Sequence, residues 1–206
     1  MPVITGPSEL PSQLPSQLPS QSSDHLNHQA SDIPHCHALD VITGVGKIST
    51  PIAIKALSRA VERVPIMHAV LSPEDESYTI PAGVHVGVAI ATPSGLAVPC
   101  LRDAHRKSVE EIAADVARLR RLAIDRRLSR DDAEDGTITL SNIGSVGLVS
   151  GLGIIQPNQT ALVTVGKAVD GAMHVSVSAD HRLVDGLTLA EFLAAFRQSV
   201  TNPGEG

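Results

Sequence analysis

Apolar residues recur at helical spacing through Ala53, Ala56, Leu57, Ala60, Val61 and Val64, which predicts an amphipathic helix. Thr50 followed by Pro51 reads as its start, a capping side chain and then proline at the first helical position, and Pro65 closes it. VHVGVAIA (84–91) and LAVPCL (96–101) predict two apolar strands joined by TPSG as a hairpin. Ser108 and Glu111 have capping-box spacing ahead of a second helix that turns Val109, Ile112, Val116 and Leu119 to one face. TITL (137–140), TALVTV (160–165) and MHVSVSA (173–179) read as strands. Residues 187–200 read as a closing helix with Leu189, Phe192, Leu193 and Phe196 inward. Helices interleaved with strands, some at hairpin distance, predict a layered α/β domain with a mixed sheet.

Residues 7–21 break this pattern. They read PSELPSQLPSQLPSQ, and proline at every fourth place lets neither a helix nor a ladder propagate. The expected organisation is a disordered Pro/Ser/Gln-rich tail over 1–31, one folded domain over 32–201 and a short C-terminal tail over 202–206.

Composition narrows the class. The 206 residues suit one domain, and its core must be aliphatic, because Tyr78, Phe192 and Phe196 are the whole aromatic complement. Scarce aromatics remove the stacking platform that single-stranded nucleic acid needs, and a formal charge of −6 disfavours a phosphate-backbone partner. No apolar run is long enough for a membrane span. Two cysteines, Cys36 and Cys100, make no disulfide framework. Residues 1–30 hold no Lys or Arg, unlike a secretory or mitochondrial leader. These features predict a soluble protein without nucleic-acid or membrane partners, cytoplasmic or, in a eukaryote, in the mitochondrial matrix. His25, His28, His35, His37 and Cys36 crowd together but match no closed zinc spacing, so no metal is expected. Cys100 reads as a small buried hydrophobe, and His68, His85 and His174 as structural or solvated histidines.

Two strings carry candidate chemistry. In SADHRLVDG (178–186) a strand delivers His181 at its end, and Asp185 and Gly186 close the turn before the last helix. An imidazole so placed and oriented by bonds around Asp185 could take a proton from a thiol or hydroxyl, while Asp180 and Arg182 could pin the turn as an ion pair. By local spacing alone, a structural histidine explains the string equally well. In TITLSNIGSVG (137–147) a strand ends at Ser141 and Asn142, and Gly144 and Gly147 allow a tight turn. This is either an ordinary glycine-rich turn or a seat for Ser141 as hydrogen-bond donor to a developing oxyanion.

Together with IPH (33–35), KALSRAVERVPIMHAVL (55–71), HVGVAIATPSGLAVPCLRDAHRKSVEEIA (85–113) and IIQPNQTAL (154–162), these strings resemble the catalytic domain of the dihydrolipoyl acyltransferases of 2-oxoacid dehydrogenase complexes. The wording of LSNIGSVG and SADHRLVDG is most similar to the branched-chain type. The resemblance implies a chloramphenicol-acetyltransferase-like two-layer α/β domain and an EC 2.3.1-type transferase, moving an acyl group between a dihydrolipoyl thiol and coenzyme A. His181 would be the general base, Ser141 the donor to the tetrahedral intermediate, and Asp185 an orienting group, with Asp180, Arg182, Asn142 and Gly186 in support. Coenzyme A and the lipoyl group would be substrates, the lipoyl arm carried on another chain, and no contact residue for coenzyme A is assigned. Partners would be the other copies of a homotrimer or larger core, and the lipoyl-bearing and other subunits of the complex.

Three departures support a rival, a degenerate non-catalytic homologue that serves as a structural or assembly component. Only HALDVITGVG (37–46) stands where the family has a long helix bearing coenzyme A contacts. KAVDGAM (167–173) is short enough to be a tight hairpin where the family makes a longer excursion. Residues 1–31 are not expected to hold the lipoyl or subunit-binding domain that precedes the family's catalytic part.

Overall fold

The computed structural model describes residues 4–7, 34–72, 77–133 and 136–202. In chain order the elements are β1 (Ile4–Pro7), β2 (His35–Thr43), α1 (Thr50–Arg63), β3 (Val70–Ser72), β4 (Ser77–Ile80), β5 (Val86–Val88), β6 (Ile90–Thr92), β7 (Gly95–Ala97), β8 (Cys100–Leu101), α2 (Val109–Ile124), α3 (Arg130–Ala133), β9 (Ile138–Asn142), β10 (Ala161–Val165), β11 (Ala172–Asp180) and α4 (Gly186–Thr201). Six strands form a mixed sheet in the order β2-β11-β10-β9-β5-β8. Its pairs are antiparallel except β10 with β9 and β9 with β5.

Alternation along the strands sorts the sheet into two faces. Ile138, Leu140, Val163, Val165, Val175, Val177 and Ala179 face the helices and are buried with Ala53, Leu57, Ala60 and Val61 of α1 and Leu189, Phe192 and Phe196 of α4. Alanines along α1 let it lie close against its neighbours, while the two phenylalanines fill the width that small residues leave. Thr139, Ser141, Thr164, Ser176 and Ser178 occupy the alternate positions and make the other face of the sheet hydroxyl-rich. This is the predicted two-layer α/β arrangement with a mixed sheet.

Several expectations need correction. Residues 4–7 fall in the expected tail, yet they form a strand paired in register with β4, Ile4 opposite Ile80. The rest of the expected 1–31 tail and residues 203–206 lie outside the described residues. The expected cap of α1 is displaced by one residue: Ser49 is the N-cap and makes no side-chain bond, because Thr50 already has helical backbone. The Thr50 hydroxyl is committed elsewhere, as described below.

Other local expectations hold. Ser108 and Glu111 make both halves of the capping box, at 3.2 and 2.7 Å. Val169 and Ala172 exchange backbone hydrogen bonds across Asp170 and Gly171, whose φ values of 51° and 73° make the tight hairpin foreseen in KAVDGAM. The stretch 37–46 is no helix: β2 runs to Thr43, and residues 44–49 alone lead into α1. Cys100 is buried, at 4% exposure. No helix among the described residues is long and apolar enough to cross a membrane.

Candidate active site

The β11–α4 turn is braced from within. Asp180, only 4% exposed, accepts from Arg182 Nε at 3.0 Å and from Arg182 Nη2 at 2.7 Å, and its backbone oxygen accepts from the amides of Leu183 and Val184. A nearly buried carboxylate is tolerable there because the forked guanidinium meets both oxygens. Asp180 and Arg182 therefore form the pinning ion pair that the sequence suggested. His181 projects from this turn into solvent, and its amide donates to Pro34 O at 2.6 Å.

The tautomer of His181 follows from its neighbour. Nδ1 lies 2.9 Å from the carbonyl oxygen of Val184. A carbonyl only accepts, so Nδ1 carries a proton, and in the neutral ring the lone pair is at Nε2. The ring is thus oriented by Val184 and not directly by Asp185. The Asp185 carboxylate instead caps α4, accepting from Thr188 N at 2.8 Å and Thr188 Oγ1 at 2.7 Å. These bonds, the backbone one foremost, hold the Asp185 carboxyl below its ordinary pKa. Asp185 acts on His181 at one remove, by starting the helix that ends the turn. Gly186 opens α4, and a Cβ there would meet nothing within 4 Å, so close packing in this chain does not demand glycine.

Ser141 sits near the end of β9, half-buried, and its hydroxyl bonds to no other described residue. The turn beyond it is tied to distant parts of the chain. Asn142 Oδ1 accepts from Ser145 N at 3.2 Å, and Asn142 Nδ2 donates to Thr50 Oγ1 at 3.0 Å. This second bond uses the hydroxyl that had been expected to cap α1. A Cβ on Gly144 would fall 2.6 Å from the Gly166 backbone, so this turn can approach the end of β10 only as glycine.

A cavity of about 460 Å³ opens beside this turn. Lys47, Thr50, Asn142, Gly144, Ser145 and Lys167 are among the residues that line it, and the two lysines are the charged ones among the described residues. The N-terminus of α1 also points there. Sequence inspection had assigned neither lysine, because residues 47, 142 and 167 meet only through the fold. A wider opening of about 850 Å³ around His85, Thr137 and Gln159 contains none of the predicted site residues.

The remaining histidines divide. His68 is buried, and its pKa is lowered to about 4, by desolvation first and then by the neighbouring His85 and His105. His174 lies half-buried on the hydroxyl-rich face, and its Nδ1 is buried without a hydrogen-bond partner. Of the crowded set near the tail, His25 and His28 lie outside the described residues, and His35 and His37 stack with centroids 6.2 Å apart. No group of three metal-ligating side chains occurs among the described residues.

The sheet register separates the two strings. Ser141 pairs with Thr164, and Thr164 with Ser176, whereas His181 follows the end of β11 five residues later. That spacing is roughly 17 Å along the strands and about 10 Å across them. Within one chain, His181 and Ser141 cannot touch one substrate atom.

The two-layer domain with its mixed sheet shares its fold with chloramphenicol acetyltransferase. That enzyme's structure superposes with a TM-score of 0.54 at 16% identity over 81% of this chain and 88% of that chain. The chain belongs to the 2-oxoacid dehydrogenases acyltransferase (catalytic domain) family, whose sequence model matches residues 43–205. It is 31% identical over 166 residues to the lipoamide acyltransferase component of the branched-chain alpha-keto acid dehydrogenase complex of Arabidopsis thaliana, covering 74% of this chain and 34% of that protein. The chain thus spans about a third of the length of the curated relatives it matches first. A truncated catalytic core of the 2-oxoacid dehydrogenase multienzyme complex from Thermoplasma acidophilum shares the fold, with a TM-score of 0.81 at 22% identity over 92% of this chain and all of that chain.

Proposed function

We propose that this chain transfers an acyl group between a dihydrolipoyl thiol and the thiol of coenzyme A, as a core component of a 2-oxoacid dehydrogenase complex. The observation that carries the reading is the lock on His181: Nδ1–H is bound to Val184 O on an exposed residue, which makes Nε2 the proton acceptor of the neutral ring. In the forward direction Nε2 takes the proton from the attacking coenzyme A thiol, and the sulfur adds to the thioester carbonyl. The oxyanion that forms is stabilised by the unengaged Ser141 hydroxyl. Collapse expels the lipoyl thiolate, which recovers the proton from the imidazolium.

The register favours a site completed by a second copy. With His181 and Ser141 about 20 Å apart in one chain, the histidine of one subunit would meet the serine of another. Val146, Leu148, Leu152 and Ile154 follow the Ser141 turn and are exposed, Ile154 at 75%, which suits burial against a neighbouring copy in a homotrimer or larger core. Coenzyme A would approach from the Lys47–Lys167 cavity, where two ammonium groups and the α1 N-terminus favour its phosphates. The lipoyl arm would come from another chain, and the setting would be the cytoplasm or mitochondrial matrix.

A second reading, a scaffold without catalysis, is favoured by the direct β2–α1 connection over residues 44–49. A coupled assay with dihydrolipoamide and isobutyryl-, acetyl- and succinyl-coenzyme A decides between them. Turnover that is lost in His181→Ala supports the enzyme, and the preferred donor identifies the acyl group. Folded protein inactive with every donor leaves the scaffold.

A further inference from the structure

His181 and Cys36 converge on one backbone oxygen. Val184 O accepts the His181 Nδ1 proton at 2.9 Å and the Cys36 thiol at 3.3 Å, while Ala179 O lies 3.6 Å from the same sulfur. Cys36 stands in β2 opposite Ala179 of β11, so the thiol reaches the turn from the edge strand of the sheet. We propose that Cys36 is a positioning residue for His181: its thiol shares the Val184 oxygen with the Nδ1 proton and so sets how firmly the ring is held as the Nδ1–H tautomer. The inference rests on the reading of His181 as the base.

The sulfur acts as a donor. Desolvation raises the thiol pKa, partly opposed by its own backbone hydrogen bond, and the charges of Asp180 and Asp185 raise it further, so at neutral pH it keeps its proton. The other charged and titratable groups around the turn are occupied or lie off this oxygen. Asp180 and Arg182 pair with each other, Asp185 is held by Thr188, and His35 stands opposite Asp180 in β2.

A carbonyl that serves two donors serves each less well, because each draws on the same electron density. The Nδ1–H···O bond favours the protonated ring more than the neutral one. Removing the thiol therefore strengthens that bond and moves the acid limb of catalysis to higher pH. A serine hydroxyl, a stronger donor than a thiol, competes harder and moves the limb to lower pH. Packing alone has no reason to give opposite signs.

The test compares wild type, Cys36→Ala and Cys36→Ser by the pH dependence of kcat for acyl transfer, and by nitrogen-15 NMR of the His181 ring in the full chain. The expected result is an acid limb displaced upward by about 0.3–0.5 of a pH unit in Cys36→Ala and downward by a similar amount in Cys36→Ser, with KM within about twofold. The Nδ1 resonance should move in the same two directions. Displacement of the same sign in both variants, or none in either, overturns the proposal. If wild type itself shows no turnover, the acyl-transfer reading falls. The ring resonances then decide the role of Cys36 alone: opposite displacements support it, and unmoved signals overturn it.

Discussion

The turns that carry His181 and Ser141 both follow a strand, both contain glycine, and both present a side chain for chemistry, yet they are held in opposite ways. The His181 turn braces itself: Asp180 grips Arg182, Val184 O fixes the imidazole, and Asp185 caps the next helix, all within residues 180–188. The Ser141 turn is held from outside, by Thr50 at the start of α1 and by the Gly144–Gly166 approach. Its continuation leaves Val146, Leu148, Leu152 and Ile154 exposed. A self-braced turn can deliver a residue to a partner subunit without help. A turn held by distant elements reports on the packing of the whole domain and on what covers it.

Substitutions should separate the two regions. The largest effect is expected from Ser141→Ala, which should lower kcat for acyl transfer about 10²- to 10³-fold while leaving the melting temperature unchanged, because the hydroxyl supports no internal bond. An unaltered kcat would remove Ser141 from the oxyanion role. Asp180→Ala should cost about 3 kcal/mol in denaturant titration, since it strands the Arg182 guanidinium and removes the acceptor of the Arg182 amide. A loss well under 1 kcal/mol would mean that the turn does not depend on its ion pair.

Acid should act on the Ser141 side of the molecule. His68 Nδ1 is 3.4 Å from the hydroxyl of Thr137, the residue just before β9, the strand that carries Ser141. Its folded pKa near 4 lies below the ordinary 6.5, so the unfolded chain binds more protons between those values. The contribution of neutral His68 is complete above about pH 6.5 and is lost as pH falls towards 4, at most about 3 kcal/mol. Stability measured over pH 4–7 should lose that slope in His68→Gln, and an equal slope in both proteins would assign the acid sensitivity elsewhere. The smallest effect belongs to Thr50→Val, which removes the acceptor of the Asn142 amide. About 1 kcal/mol of stability should go, with a larger fractional loss in kcat than His181-side substitutions of equal stability cost would give. A matched loss would show that the Ser141 turn needs no tether.

The local patterns were legible because their causes are local. The apolar period of α1 and α4, the Ser108–Glu111 box, the 167–173 hairpin and the Asp180–Arg182 pair each depend on residues a few places apart, and each stands where the sequence placed it. The Asp180–Gly186 string was recognisable for the same reason. What the sequence left open depended on residues distant in the chain. Thr50 looked like a cap until Asn142 claimed its hydroxyl, and β1 looked like tail until its pairing with β4 was seen. Lys47 and Lys167 meet in one cavity only because β2, α1 and β10 end together, and Val184, not Asp185, orients His181 because the turn folds its carbonyl back onto the ring. The sequence by itself determined the element types, the layered α/β class and the two strings of candidate residues, since periodicity and turn chemistry act over one or two turns of chain. Only the tertiary structure decided which groups share an acceptor, which residues line a cavity, and that His181 and Ser141 lie too far apart to act within one chain. Those relations are set by strand order and register, which join residues that no local rule connects.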